Sequence, residues 1–406
     1  MAGVLDGIKV ISMEHWTMVP LASAYLADWG ADVIKIEPPG GEQSRGLKRA
    51  GGVETRVQVG SVEVDHYFQF VNRNKKSLAI DLKKETGRDI LCQLVKQADV
   101  FMHNYELNAV ERLRLDYDNL SKVNPGLVYA TLTGYGSKGP DKDEQAFDNV
   151  ASWARGGLAY LMITDPELGP PTHPHGMGDR NASVHMVAGV LGALLHKERT
   201  GKGQQVEFCL YHTTLWSMSR NIQAALSGAP EDIIPRIKQK NALHIPYRTK
   251  DNRWIMFAMS QSDRYWPDFC KALGMPELEN DPRFNNMDTR GKNSEELIHL
   301  LDKVFATRTV AEWSERCRQQ HLIFSPIQTP AEVITDPQAQ ANDFFVDLPH
   351  PAGAMKILAS PTKFHQNPAS VRSIAPEVGQ NTEEILLELG YSWEDIAGLK
   401  DQEVIP

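Results

Sequence analysis

Cysteines and long apolar stretches are scarce in this chain of 406 residues. The four cysteines, Cys92, Cys209, Cys270 and Cys317, stand far apart and form no CxxC pair. This spacing argues against a zinc or disulfide framework and is typical of a reducing compartment. The sequence contains no run of about 18 apolar residues, the length that a membrane-spanning helix needs. The start, MAGVLDGIKVISM, lacks the features of a secretory signal peptide, so we expect a cytoplasmic protein that does not enter membranes.

Positive charge is also in deficit, with 43 Lys and Arg against 52 Asp and Glu and a formal net charge of −9. Since there is no dense Lys/Arg block, we expect no nucleic-acid partner, and an anionic ligand would need a local basic pocket. The motifs GxxxxGKS/T, GxGxxG after a strand and GxSxG are all missing. A P-loop, a classical dinucleotide fold and serine-hydrolase chemistry are therefore not expected.

Strand-like and helix-like segments alternate through the first half of the chain, which predicts an α/β fold with a parallel sheet flanked by helices. The predicted strands are Ile8–Met13, Ala31–Glu37, Leu78–Leu82, Ala98–Asn104, Leu127–Gly134 and Gln205–Leu210. The predicted helices are Leu21–Trp29, Thr86–Gln97, Ala109–Leu115 and Ala182–Arg199.

The character of the sequence changes near Gly228. The segments that follow predict a smaller α+β domain over 226–327, with a strand and three helices: Ile255–Ser260, Tyr265–Leu273, Ser294–Phe305 and Val310–Gln319. We expect 1–225 to form a large domain that is completed by 328–406, including a helix over Thr382–Leu389.

Polar loops follow several predicted strands, namely Glu14–Pro20, Lys83–Glu85, Asn104–Arg112 and Gly134–Gly139. In open parallel sheets, ligands bind beyond the carboxyl ends of the strands. Loops at which helices begin suit a ligand that carries phosphates. The spacing alone equally allows ordinary solvated connections.

Asp179 lies in the segment PHGMGDRNAS, just before the predicted helix Ala182–Arg199. One interpretation is a helix N-cap, a position that Asp favours. A carboxylate near a helix N-terminus is also stabilised in its charged form, which would keep it ready as a nucleophile, and the two roles are compatible. We expect Gly176 and Gly178 to let a bulky ligand approach the backbone.

Histidines offer two further candidates. His173 and His175 bracket a proline but have no third metal ligand nearby, so no metal site is expected. His15 follows the first strand and could either line a pocket or be an ordinary surface imidazole.

An ordered set of fragments resembles family III of the CoA transferases, the carnitine and formyl-CoA transferase type, along nearly the whole chain. Among them are LDGIKVISMEH, LADWGADVIKIEPPGG, NRNKKSLAIDLKKETG, NPGLVYATLTGYGSKGP and GMGDRNASVHMVAGVLGALLHKERTGKGQQVEFCLY. The resemblance implies a large Rossmann-like CoA-binding domain, a smaller α+β domain and an interlocked ring-like dimer. The dimer would be a homodimer or a heteromer with a related subunit.

The resemblance also implies a mechanism. Asp179 matches the family's nucleophile, which forms an acyl anhydride and then an enzyme–CoA thioester. No tightly bound cofactor is implied, since CoA thioesters are substrates and such covalent steps need neither metal nor redox group. By the same resemblance, the residues that contact CoA are Thr17, Met18, Ile80, Lys83, Asn104, Tyr105, Arg112, Gln145 and Phe147. Among these, Lys83 and Arg112 are the implied phosphate partners. His15, after the first strand, is added to this predicted CoA site.

Two positions depart from the family pattern. Pro38 and Gln145 stand where the relatives carry an arginine and a lysine, and the cations that could compensate are Arg45, Lys48 and Arg49. A glycine-rich lid is also missing, since 240–247 reads KNALHIPY, so formyl-CoA and oxalate are not expected as substrates.

Other functions on the same fold stay open. A CoA-thioester racemase would use a His/Asp pair, but the corresponding triplet here is Phe147–Asn149 (FDN), without histidine. A non-catalytic partner subunit is disfavoured because Asp179 is present. We expect a bulky or aryl-bearing acceptor acid, for example benzylsuccinate with succinyl-CoA as donor. The side chains that could form an apolar pocket, or simply pack in the core, are Trp16, Met18, Trp153, Met177, Trp216 and Met218.

Overall fold

The computed structural model describes residues 3–165, 167–229 and 233–406. Contacts divide the chain into two compact units. Unit 1 comprises Met1–Leu161, Pro171–Ala229 and Gln340–Pro406, and unit 2 comprises Met162–Pro170 and Pro230–Ala339.

The strands are short and are spread along the chain. They are β1 (Lys9–Met13), β2 (Asp32–Glu37), β3 (Arg49–Ala50), β4 (Val53–Glu54), β5 (Arg56–Val59), β6 (Val62–Asp65), β7 (Lys76–Ala79), β8 (Val100–His103), β9 (Val128–Thr133), β10 (Gln204–Cys209), β11 (Pro246–Arg248), β12 (Trp254–Phe257), β13 (Phe324–Pro326), β14 (Phe345–Leu348) and β15 (Met355–Leu358).

The helices range from a single turn to 24 residues. They are α1 (Met18–Asp28), α2 (His66–Asn72), α3 (Glu85–Lys96), α4 (Leu107–Arg112), α5 (Tyr117–Val123), α6 (Leu158–Leu161), α7 (Met177–Thr200), α8 (Leu210–Ser217), α9 (Ser219–Leu226), α10 (Ser262–Leu273), α11 (Met287–Lys292), α12 (Ser294–Phe305), α13 (Val310–Gln319), α14 (Pro330–Val333), α15 (Pro337–Ala341), α16 (Thr382–Glu388) and α17 (Trp393–Asp401). None of the helices in the described part of the chain has the length and apolar character needed to cross a bilayer.

Unit 1 is built on a six-stranded parallel sheet with the order β10-β9-β8-β1-β2-β7. The chain moves outward from β1 through β2 to β7 and then returns to β8, on the other side of β1. This reversal puts a topological switch point between β1 and β8, the place where open parallel sheets form ligand crevices.

The sheet is covered on both faces because successive strand residues point to opposite sides. In β1, Ile11 belongs to one apolar cluster with the helices α3, α5, α16 and α17. Its neighbour Val10 belongs to a second cluster with α1 and α7. Strands that are buried on both sides favour continuous apolar runs, as in this sheet.

Unit 2 contains a three-stranded antiparallel sheet, β11-β12-β13, packed with helices around its own apolar core. Aromatic rings fill its centre: the rings of Tyr247 and Phe305 stack at 4.7 Å, and Phe257 lies 5.3 Å from Phe305. The other antiparallel pairs, β3-β4, β5-β6 and β14-β15, lie in unit 1.

The prediction of an α/β fold with a parallel sheet is confirmed. The helix predicted over Ala182–Arg199 in fact begins five residues earlier, at Met177. Gly176 precedes it with φ of 71°, a left-handed conformation that glycine adopts without strain. The sequence did not predict the strands β3 to β6, whose residues are largely exposed and therefore lack an apolar pattern.

Candidate active site

A cavity of about 660 Å³ opens at the carboxyl end of the parallel sheet in unit 1. Its walls come from the loops after β1, β8 and β9 and from the first turn of α7. The predicted site residues that line it are His15, Thr17, Met18, Asn104, Tyr105, Gln145, Phe147 and Asp179. Residues from distant parts of the sequence thus meet where the switch point places them.

Three of the residues predicted to contact CoA lie elsewhere. Ile80 is 1% exposed and belongs to the apolar cluster that the sheet forms with α3, α5, α16 and α17. Lys83 and Arg112 are exposed, and neither is among the residues that line the cavity. Their contacts with CoA stay a prediction.

The loops after β1 and β8 are fixed to each other by one amide side chain. Asn104 accepts the backbone N–H of His15 at 3.1 Å and donates to the His15 carbonyl at 2.8 Å. The His15 ring packs edge-on against Tyr105 at 4.9 Å. Burial lowers the pKa of His15, so the imidazole is neutral at neutral pH.

Asp179 is the third residue of α7, and Gly176 is the N-cap. The capping interpretation of Asp179 is therefore wrong. Burial, together with the neighbouring Asp148 carboxylate, raises the pKa of Asp179 to about 7, although Arg180 opposes the shift. The expectation that the helix terminus holds Asp179 in its charged form is also wrong, because loss of hydration and a like charge outweigh the favourable dipole.

Asp148 is a site residue for which the sequence indicated no role beyond its place in the triplet Phe147–Asn149. Its Oδ1 accepts the backbone N–H of Gly178 at 3.0 Å. A Cβ at position 178 would lie 2.2 Å from that oxygen and 2.0 Å from Ser152 Oγ. Glycine is thus needed at 178 so that Asp148 and Ser152 can approach the helix, whereas we expected it to make room for a ligand.

His173 stands behind Asp148. Its Nε2 lies 3.2 Å from Asp148 Oδ2, and its ring lies 5.7 Å from that of His175. Burial lowers the pKa of His173, although Asp148 opposes the shift. His173 does not line the cavity, so this His/Asp pair does not present an imidazole to a substrate as a racemase would require.

Cationic groups are rare in the cavity wall, where Lys142 is the one Lys or Arg among the described lining residues. Arg45 donates to the Glu37 carboxylate at 2.5 and 2.7 Å, and Arg49 forms an ion pair with Glu54 at 2.8 Å. Both arginines are therefore engaged with carboxylates. The sequence offered no signal for Lys142, because its approach to the cavity depends on the path of the loop after β9.

The family described as CoA-transferase family III matches residues 5–382. The chain belongs to CoA-transferase family III. Its relatives include (R)-2-hydroxy-4-methylpentanoate CoA-transferase of Clostridioides difficile, 34% identical over 403 residues and 99% of each chain. Another is cinnamoyl-CoA:phenyllactate CoA-transferase of Clostridium sporogenes, 32% identical over 99% of this chain and 97% of that one.

Solved structures agree with this assignment to family III. A CaiB/BaiF family protein from Brucella suis superposes with a TM-score of 0.81 at 27% sequence identity, covering 96% of this chain and 100% of that one. The resemblance seen in the ordered sequence fragments is confirmed, and this family III member is a CoA-transferase.

Proposed function

We propose that this CoA-transferase moves CoA from an acyl-CoA donor to a carboxylic acid through covalent intermediates on Asp179. The supporting observation is that the Asp179 carboxylate lines the cavity from the first turn of α7, at the carboxyl end of the sheet. A carboxylate there can reach a thioester whose CoA moiety lies along the strand-end loops.

The first half-reaction has two steps. An oxygen of ionised Asp179 attacks the thioester carbonyl carbon, the C–S bond breaks, and the thiolate leaves with the electron pair, giving an aspartyl anhydride. The thiolate then attacks the aspartyl carbonyl carbon, the anhydride C–O bond breaks, and the donor acid leaves as a carboxylate. The product is an aspartyl–CoA thioester.

The second half-reaction repeats these steps in reverse order with the acceptor. Its carboxylate attacks the aspartyl thioester and releases the thiolate, which then attacks the acceptor carbonyl and restores Asp179. Each step exchanges one acyl bond for another, so no proton donor is required. Water must be kept away from the anhydride while it exists.

The CoA phosphates need cationic contacts, since charge-assisted hydrogen bonds are the strong ones for phosphate. We assign this role to Lys142, because it is the one Lys or Arg in the described cavity wall. Its side chain is half-exposed and lies 3.8 Å from Asp143, so it is free to turn toward a ligand.

For the acceptor, we propose an acid with a bulky apolar or aryl side chain. Trp16 and Phe147 line the cavity and contact each other edge-to-face at 5.8 Å. Met18 also lines it, whereas the other candidates for an apolar pocket do not: Trp153, Met177, Trp216 and Met218. The two relatives named above act, by their names, on phenyllactate and on 2-hydroxy-4-methylpentanoate, and benzylsuccinate with succinyl-CoA is a further candidate pair.

A screen tests this function. Purified protein is incubated with succinyl-CoA or acetyl-CoA and a panel of aryl and alkyl acids, and the new CoA thioesters are followed by mass. We expect transfer to at least one aryl acid and none with Asp179→Ala, which should still bind CoA. Retained turnover in that variant would overturn the proposal. Native mass spectrometry of the same sample tests the proposed dimer or heteromer.

A further inference from the structure

Trp16 has an unusual backbone conformation for its size. Its φ is 63°, in the left-handed region that bulky residues rarely occupy. Such a conformation persists only where the surroundings enforce it, and it is often found at ligand sites. Trp16 lines the same cavity as Asp179.

Hydrogen bonds fix the backbone of Trp16 and hold the residues on either side of it. Its N–H donates to Glu42 Oε2 at 3.0 Å. The residue before it, His15, is fixed by Asn104 on both its N–H and its carbonyl. The residue after it, Thr17, is hydrogen-bonded through its hydroxyl to Tyr67.

Glu42 is itself held by a buried charge network. Its Oε1 accepts from Lys35 Nζ at 3.0 Å, and Lys35 lies 3.4 Å from Glu14, which pairs with Lys75 at 2.6 Å. The side chains of all four are at most 1% exposed. Burying ionic groups is costly, and such networks are retained in some proteins because they specify one geometry. Here the network holds the Glu42 carboxylate in place, and Glu42 in turn fixes the backbone N–H of Trp16.

The ring of Trp16 meets that of Phe147, which is 59% exposed and lines the cavity. Aromatic rings prefer edge-to-face or offset contacts with further rings. We infer that Trp16 determines acyl specificity, that Trp16 and Phe147 together receive a flat aromatic side chain of the transferred acid, and that Glu42 is the positioning residue for Trp16. This inference rests on the proposed function for the identity of the site.

The test measures binding separately from transfer. Affinities of 3-phenylpropanoyl-CoA and butanoyl-CoA are measured by calorimetry on the full chain carrying Asp179→Asn, so that no covalent step occurs. The CoA moiety is common to both, so the ratio of the two affinities reports the acyl group alone. We expect the phenyl thioester to bind about tenfold more tightly than the butanoyl thioester.

Four further variants are compared in the same background. Trp16→Gly, in which glycine tolerates the left-handed backbone, should abolish the preference. Glu42→Ala should reduce it, and Glu42→Gln should restore part of it, because the amide oxygen can still accept the Trp16 N–H. Trp393→Ala removes a 61% exposed tryptophan outside the cavity and should change nothing.

An affinity ratio near one in the Asp179→Asn protein, or a ratio that survives Trp16→Gly, overturns the inference. Equal weakening of both thioesters by Glu42→Ala and Glu42→Gln would show a merely structural role for Glu42. Failure of the proposed function would give a different result: the two thioesters would bind with the expected affinity ratio, but the wild-type protein would transfer no CoA.

Discussion

Asp148 Oδ1 accepts the backbone N–H of Gly178 at 3.0 Å, so a buried carboxylate lies directly beneath the turn that carries Asp179. The hydrogen bond fixes the position of this turn. Burial raises the pKa of Asp179, and the like charge of nearby Asp148 raises it further. Asp148 therefore acts both on the position of Asp179 and, together with burial, on its ionisation.

The pH dependence of CoA transfer should reflect the ionisation of Asp179. In the proposed mechanism only the ionised carboxylate attacks, and the pKa of Asp179 is about 7, so kcat/KM for the acyl-CoA should fall about tenfold per pH unit below pH 7. The check is a profile from pH 5 to 9 with a stable buffer series. An acidic limb near pH 4, the usual range for aspartate, would contradict the structure.

Asp148→Asn should move the acidic limb of the pH profile to lower pH, by about one unit, because it removes the like charge beside Asp179. The amide oxygen of Asn can still accept the Gly178 N–H, so the turn should keep its position. The matched control is Asp401→Asn, an exposed aspartate at the end of α17. If both variants leave the limb in place, Asp148 does not act on Asp179 electrostatically.

Asp179→Asn should stabilise the protein at alkaline pH. The folded state binds the Asp179 proton more tightly than the unfolded state, so this group's contribution to stability falls as pH rises from about 4 to about 7. Removing the charge should therefore add on the order of 4 kcal/mol to the unfolding free energy at pH 8, and little at pH 4. Urea denaturation at both pH values measures the difference. A gain that is the same at both would point to packing instead.

Lys142→Ala should raise the KM for acyl-CoA about threefold to tenfold with little change in kcat, because the proposed phosphate contact would be made equally in ground and transition states. The effect should shrink at high salt, since Lys142 is half-exposed. Lys138→Ala is the matched control, an exposed lysine nearby that does not line the cavity. Equal effects of the two variants would remove Lys142 from the proposed site.

The sheet could be predicted from the sequence because its strands are buried on both faces and read as apolar runs, such as Lys9–Met13 and Val128–Thr133. The helices Ser294–Phe305 and Val310–Gln319 match their predicted bounds, since each has a clear apolar face. The start of α7 was missed because two glycines and a proline precede Asp179, which hides the helical pattern.

The site itself was only partly predictable. The loops after β1 and β8 could be expected to meet, since carboxyl ends of parallel strands share one edge. Asp148 and Lys142 were missed because their roles depend on contacts between segments that lie far apart in sequence. The raised pKa of Asp179 was missed for the same reason, since burial and the charge of Asp148 are properties of the folded chain alone.

The covalent role proposed for Asp179 can be tested by trapping its intermediates. The most direct measurement adds hydroxylamine or borohydride during turnover with an acyl-CoA donor and locates the modified residue by peptide mass spectrometry. We expect modification in the peptide that contains Asp179, dependent on the donor and missing in Asp179→Asn. Turnover with no modified Asp179, or with the adduct on another carboxylate, would contradict it.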